Sequence, residues 1–446
     1  IMHFKLIFFL FINLFYAQSL YQSSVGINSS SMSARSTALG STAVITDISA
    51  LSISSNPSNM ITSNNLGLSI ISSYKGTFIA ERRGMVVKDY FGDYLAEADY
   101  VKNSSIINSL TFGANYNFQI KDFDVSTGIS IVPYNIFNYS YEEEVRGNLP
   151  SVDGNIFSRD PLLGYHILNS TGNQKLYSIG HALKFDLMNI VASIGYGYNM
   201  LDQSTINEEV YVDTIVAEDN LELSLISPYS IDYKLNKVSF SSFGCNLKFK
   251  QILFNFSFKD EFIINKTMSN ESYVNLESYL SEFSLLHGSN ELALHYFFDY
   301  FESKLLDKIY KPKTYNISLA LLDASNQNFN FIINYEKNIY DTDYVLSNYE
   351  RYSIGVEHFG FNNIPLRFGI QYMSSPFKPY ISSSSVVSFG SGFNMNSNLT
   401  LDYAVDYKSI NYMFPDLFPV EDESRPDLDV VNESETNFII TMSYNF

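Results

Sequence analysis

Reading back from Phe446 in steps of two gives Tyr444, Met442, Ile440 and Phe438, all apolar. Between them stand Asn445, Ser443, Thr441 and Asn437, with Ile439 the one exception. Side chains of a β-strand alternate between its faces, so a strict period of two makes one face apolar and the other polar. Leu399, Leu401, Tyr403, Val405 and Tyr407 repeat the pattern against Asn398, Thr400, Asp402, Ala404 and Asp406. Leu366, Phe368, Ile370 and Tyr372 repeat it against Arg367, Gly369 and Gln371. Residues 315–321 and 329–335 follow suit, with similar segments near 66–78, 107–118, 123–134, 175–186, 188–199, 237–249, 251–260, 350–358 and 385–395. Nearly every second face carries Gly, Ser, Asn or Asp, which suits a wet or small-residue lumen behind a lipid-facing wall.

Composition narrows the choice. Lys and Arg number 28 against 47 Asp and Glu, a formal charge of −19, which excludes a nucleic-acid reader that works by neutralising phosphates. Charged residues make up 17% of the chain, against roughly 25% in soluble domains. With 34 Tyr and 36 Phe the aromatic share reaches 16% without a single Trp. One Cys excludes a disulfide scaffold and a cysteine-built zinc site. Past residue 17 no apolar run reaches the ~20 residues of a spanning helix.

The links between alternating segments are of two kinds. Short ones at 119–122, 187, 250, 322–326, 359–363 and 396–397 alternate with long polar stretches at 79–106, 135–174, 200–236, 261–312, 338–349, 374–384 and 410–435. Short turns on one side and long loops on the other define a transmembrane antiparallel β-barrel, and counting gives fourteen strands. A fifteenth (Leu292, Leu294, Tyr296, Phe298 and Tyr300) would break the even parity, so 261–312 reads as one long outer loop, part of it helical. Residues 1–19 read as a signal peptide, with Lys5 ahead of the apolar stretch Leu6 to Phe15 and the small pair Ala17 and Ser19 at the cleavage point. Residues 20–62 lack any clean period, and 63–446 form the barrel with its long extracellular loops.

The stretch Ser33-Ala34-Arg35-Ser36-Thr37-Ala38-Leu39-Gly40-Ser41-Thr42-Ala43, continued by Asp47 and Asn56-Pro57-Ser58-Asn59-Met60, resembles the amino-terminal signature of FadL-like long-chain fatty acid transporters and their PorV-like relatives. There, Ala-Arg-x-x-Ala-Leu-Gly-Gly-Ala is followed by an Asp, a small-residue segment and Asn-Pro-Ala-Gly-Met. Here Ser41 stands for the second Gly, and Ser58-Asn59 for Ala-Gly. Residues 351–357 and 365–372 also look like late strands of that family, and an aromatic end at Phe446 resembles the strand that the barrel-assembly machinery reads. The resemblance implies an all-β barrel of about fourteen strands in the lipid of the bacterial outer membrane. It implies a hatch or plug inside the lumen that includes Arg35, Gly40, Asp47, Asn56 and Pro57. It also implies uptake of hydrophobic small molecules such as long-chain fatty acids, without cofactor or catalysis. Whether the hatch moves stays open. A PorV-like relative would instead bind secreted protein, and a third reading is a structural or adhesive barrel displaying acidic loops.

No enzyme or metal motif competes. The six histidines include no metal-spaced pair, and neither His-Glu-x-x-His nor Gly-x-Ser-x-Gly occurs. Gly195-x-Gly197 lacks a third Gly and lies in an alternating strand, while Glu142, Glu143 and Glu144 read as a solvated acidic run. The lumen-facing cations Arg367, Arg351, Lys248 and Lys259 offer two readings. An arginine fork, Arg367 foremost, meets an anionic head group, or the cations pair with acids such as Glu357, Asp402 or Asp406. The long outer loop likewise either forms an apolar capture groove, with Phe297 and Phe298 in it, or packs Phe262, Ile264, Leu280 and their neighbours internally. Deleting Phe446 is expected to abolish the heat-modifiable mobility of the assembled barrel. A deletion variant that keeps it removes Phe446 as an assembly signal.

Overall fold

The computed structural model describes residues 20, 25–28, 33–61, 66–146, 162–215, 228–268, 276–281, 284, 295, 306–322, 329–340, 346–361, 364–378, 380–418 and 428–446. The expected signal peptide, Phe297, Phe298 and nearly all of 292–300 lie outside them. Fourteen antiparallel strands close into one barrel: Gly67–Lys88, Tyr94–Ile120, Phe123–Ile136, Asn173–Leu187, Ile190–Leu201, Val238–Phe249, Ile252–Lys259, Lys313–Leu322, Phe329–Ile339, Tyr349–Phe361, Ile364–Met373, Ser384–Asn394, Leu399–Phe414 and Asp429–Asn445. Each pairs with the next in the wall, and the first meets the last, Ser69 opposite Asn445. The strand count agrees with the number of alternating segments.

The wall separates two environments, which is why the alternation is so regular. Ile333, Ile354, Ile370 and Val387 stand side by side on four successive strands. All four are between 43% and 48% exposed. Their strand neighbours Asn334, Ser353, Gln371 and Ser388 point inward and are buried. A continuous outward band of this kind is the lipid-facing surface. Aromatic girdles flank it. On the outer side Tyr335, Tyr352 and Tyr372 sit with ring centroids 5.1 and 6.5 Å apart, and the hydroxyls of Tyr335 and Tyr352 donate to Glu350 at 3.0 and 2.7 Å. Beside the short turns Phe249, Phe254, Phe329, Phe393 and Phe446 are exposed. Tyr and Phe thus replace the missing Trp at both interfaces.

Three of the short turns begin on a non-glycine residue in left-handed backbone: Lys121 (φ 54°), Met188 (φ 56°) and Lys250 (φ 51°). Two-residue hairpins need that hand to match strand twist. Their brevity, rather than a glycine, marks them in the sequence.

The outer side departs from expectation. The stretch 79–106 is strand, not loop: Gly67–Lys88 and Tyr94–Ile120 remain paired up to Lys88 and Tyr94. Charged residues disguise the alternation there. Glu81 and Arg83 point inward and are fully buried, the Arg83 Nε donating to Glu81 Oε1 at 2.7 Å while its guanidinium lies 4.6 Å over the Tyr141 ring. The long stretches 135–174, 200–236 and 261–312 also contribute Tyr139–Arg146, Leu162–Thr171, Ser204–Thr214, Tyr229–Leu235, Phe262–Met268 and Lys308–Lys311, which form a second, six-stranded sheet. Residues 276–281 are helical, as expected for part of the long loop. Phe262, Ile264, Leu276 and Tyr279 are buried, and Phe262 stacks on Phe240 at 4.3 Å. The described apolar residues of 261–312 therefore mostly pack internally, with Ile263 exposed.

One seam of the wall is short. Tyr94–Ile120 and Phe123–Ile136 pair only from Ile120 and Phe123 up to Phe112 and Ile131. Higher up, the edge of Phe123–Ile136 is taken by the N-terminal residues Ile27 and Asn28, opposite Ile136 and Asn135. A cation on the lipid face is costly near the bilayer midplane. Ile354→Arg is expected to lower stability by about 2–4 kcal/mol, read from denaturant unfolding in lipid vesicles, and an unaffected midpoint would place Ile354 off the lipid face.

Candidate functional site

Residues 33–61 run across the lumen against the inward faces of the wall. Ser33 caps the helix Ala34–Ala38, its Oγ accepting from the Ser36 amide at 3.3 Å. Gly40 and Ser41 then both take left-handed backbone, φ 75° and 61°, and the Ser41 amide returns to the Ser36 carbonyl at 2.9 Å. Ser41 adopts this bend at a cost of about 1–2 kcal/mol that a glycine avoids. At Gly40 a substitute would be strained by the left-handed backbone and crowded, because a Cβ would lie 3.0 and 3.1 Å from the carbonyl oxygens of Ile370 and Ile354. The helix Ala43–Thr46 and the 3-10 turns Ala50–Ser54 and Pro57–Ile61 complete the segment.

Two different networks fasten it. At one end Arg35 grips Glu357 with both arms of its fork, Nε to Oε1 at 3.1 Å and Nη2 to Oε2 at 2.8 Å. Arg367 holds the same carboxylate at 2.8 Å and Asp402 at 2.6 Å. The Ala34 amide donates to Thr441 Oγ1 at 2.8 Å. At the other end the grip is neutral. Asn56 Nδ2 donates to Asn59 Oδ1 at 2.9 Å, Asn246 Nδ2 to the same oxygen at 2.8 Å, and Asn255 Nδ2 to Asn246 Oδ1 at 2.7 Å. Ser242 Oγ donates to the Ile53 carbonyl at 2.7 Å. Pro57 is buried at the start of its 3-10 turn. Asn59 thus does not merely replace a glycine of the resembling signature. It is the hub of the amide network.

Above this floor, toward the outer sheet, lies a cavity of about 280 Å³. Thr37, Ser41, Asp47 and Leu51 form its base, and Val25, Tyr310, Lys311, Leu346 and Phe377 lie around its outer end. Charge in the cavity wall is largely paired in place: Arg351 with Glu336, and Lys408 with Glu435 at 3.7 Å. Lys311 Nζ donates to the Val25 carbonyl at 2.8 Å, and burial together with nearby Lys259 brings its pKa down to about 7. Burial pushes the Asp47 carboxyl up to about 6, although the Ser49 hydroxyl donates to it at 2.7 Å. The site is amphipathic rather than oily.

Of the residues singled out from sequence, Arg35, Gly40, Asp47, Asn56 and Pro57 all lie in the floor segment. Arg351 lines the cavity but is held by Glu336. Arg367 is absent from the cavity lining and its fork is filled by Glu357 and Asp402, so it anchors the floor rather than waiting for a head group. Lys259 lines the cavity beside Tyr134, whereas Lys248 is exposed next to a short turn. Asn246, Asn255, Lys75, Lys311 and Lys408 carry no distinguishing signal in the sequence. Amides and lysines on a strand's second face read only as a wet lumen. Among the described residues no group of three or more His, Cys, Asp or Glu is placed to hold a metal.

The raised Asp47 pKa has a definite sign. The folded state keeps a proton that the unfolded carboxyl has lost, so this group's contribution to stability declines as pH rises from about 4 to about 6 and is then constant. Asp47→Asn is expected to remove that decline, measured as the melting-temperature difference between variant and parent at pH 4 and pH 7. A difference independent of pH would show that folding does not shift this carboxyl.

No family model matches the sequence, and no curated protein matches it. Among solved structures the chain is similar to a Pseudomonas aeruginosa FadL homologue, at 12% identity and a TM-score of 0.53, over 94% of this chain and 100% of that one. It is also similar to the deltaS2S3 mutant of the TodX monoaromatic hydrocarbon channel, at 12% identity and a TM-score of 0.50, over 93% and 99% of the two chains. At such identity the likeness is one of architecture. Nearly the whole of each chain takes part in it, so the protein has a FadL-like β-barrel fold.

Proposed function

We propose that the barrel admits hydrophobic small molecules through the bacterial outer membrane. The observation that carries this reading is the cavity of about 280 Å³ in mid-lumen, floored by the chain's own N-terminal segment. A structural barrel has no use for a chamber in its lumen, and an open pore has no use for a floor. The floor is held by hydrogen bonds and ion pairs to the wall, so it is separable from the wall without breaking a covalent bond. The fold supports the same reading, since similar structures are a FadL homologue and a monoaromatic hydrocarbon channel.

The chamber lies near the lower end of the ~300–1,000 Å³ usual for ligand pockets. It suits a compact hydrophobe, or the leading end of a longer one such as a fatty acid. Leu51, Leu346, Met373, Pro376 and Phe377 supply apolar contact, and each buried methylene of a cargo gains roughly 0.8 kcal/mol. The shortened seam between Tyr94–Ile120 and Phe123–Ile136 is the side exit that this arrangement offers. Ile27 and Asn28 occupy that edge, which couples the exit to the same N-terminal chain that makes the floor.

Labelled palmitate and labelled toluene are expected to bind the purified barrel saturably, with Phe377→Asp weakening the preferred ligand roughly tenfold, a change of about 1.4 kcal/mol. Absence of saturable binding by either ligand to the parent protein overturns the uptake reading. Palmitate binding with toluene excluded assigns the acyl class, and the reverse assigns small aromatics.

A further inference from the structure

The hairpin of Gly67–Lys88 and Tyr94–Ile120 outruns the wall on both flanks. Its ladder with Asp429–Asn445 ends at Gly84 and Val430, and its ladder with Phe123–Ile136 ends at Phe112 and Ile131. Residues 94–99 are exposed without exception, and among the described residues no strand pairs with their outer edge. An unpaired, exposed edge is a template on which another chain adds a strand.

The tip is a built object. The Asp89 amide donates to the Asp93 carbonyl at 2.8 Å and the Gly92 amide to the Asp89 carbonyl at 3.0 Å. The Asp89 carboxylate takes the amides of Phe91 and Asp93 at 2.9 and 2.8 Å, and Gly92 supplies the left-handed residue, φ 86°. This turn holds Tyr90 and Phe91 outward at 97% and 85% exposure, edge to face with centroids 5.6 Å apart. Tyr94 and Leu95 follow at 63% and 60%. Four large apolar side chains fixed in the open contribute nothing to the fold and are a liability in water unless a partner covers them. The charge around them is lopsided: Asp89, Asp93 and Glu97 against Lys88, while Asp99 is paired with Arg82 at 3.5 Å.

We propose that this hairpin is a docking surface for an extended, cationic segment of a partner protein outside the membrane. The segment adds as a strand along residues 94–99. Its apolar side chains cover Tyr90, Phe91 and Leu95, and its Lys or Arg side chains face the acids of the tip. Lipid is not the occupant, because the tip lies beyond outward-facing Arg82 and Lys102, which stand opposite one another past the apolar part of the wall. A second copy is not the occupant either, because two such tips bring like charges together. The surface lies outside the lumen and stands or falls independently of the uptake reading.

The test uses the full chain in nanodiscs and three labelled peptides of about ten residues. One alternates Lys with Val or Tyr, one carries Glu in place of Lys, and one is the cationic peptide N-methylated at alternate residues. Saturable binding of the cationic peptide is expected, roughly tenfold weaker for the other two. It is expected to be lost in the Tyr90→Ser, Phe91→Ser double variant and weakened by Glu97→Lys. All three side chains are exposed, and unchanged heat-modifiable mobility confirms folding. No saturable binding of the cationic peptide, equal binding of the acidic or N-methylated one, or binding that survives in the double variant overturns the proposal. Concentration-dependent dimerisation of the parent that the double variant lacks also overturns it, in favour of self-association.

Discussion

Lipid offers no hydrogen bonds, and every other feature of this protein follows from that. A backbone N–H or C=O left unpaired in hydrocarbon costs several kcal/mol, so strands can cross a bilayer only as a closed ladder. Closure here joins Gly67–Lys88 to Asp429–Asn445 along a ladder from Ser69 and Asn445 to Gly84 and Val430. Once the wall is closed, its inner face is shielded from lipid. Polar residues are then tolerated there at every second position, and those residues are what the N-terminal segment bonds to.

The two fastenings of that segment differ in physical kind. The Arg35, Glu357, Arg367 and Asp402 cluster gathers four charges, with the Glu357 side chain only 1% exposed. Desolvation makes such a cluster a poor source of net stability, yet removal of one member leaves the others uncompensated at a cost of about 3–5 kcal/mol. The Asn56, Asn59, Asn246 and Asn255 cluster carries no charge. Each of its bonds contributes about 1 kcal/mol and none depends on ionic strength. One end of the floor is thus specified by electrostatics and the other by shape and amide geometry.

Much of the wall was legible because two environments act on one strand at once. Phe438 to Phe446 and Leu366 to Tyr372 alternate for that reason, and their phase correctly assigns faces. The outer structure was less legible. Glu81 and Arg83 occupy inward positions of a continuing strand, so a search for apolar alternation stops short of them. The six-stranded outer sheet is buried in part on its inner face and short in each strand, which blurs its period. In the floor, motif likeness pointed to Arg35, Gly40, Asp47, Asn56 and Pro57. Their partners Asn246, Asn255 and Ser388 looked like any other small polar residue of a lumen. Arg367 was legible as a lumen cation, but only geometry shows that Glu357 and Asp402 hold it.

The bond from the Ala34 amide to Thr441 has a consequence for the order of assembly. Thr441 lies on the strand Asp429–Asn445, and that strand seals the wall against the first strand after the floor segment, Gly67–Lys88. Contacts spanning this much chain form late and slowly. The segment also touches strands all around the circumference, including those that carry Gly244, Gly355 and Gly369. A chain enclosed on every side cannot be threaded into a finished cylinder as easily as a cylinder can be wrapped around it. The floor draws its polar partners from strands far apart in sequence, so its fastening is complete only when the last seam of the wall is shut.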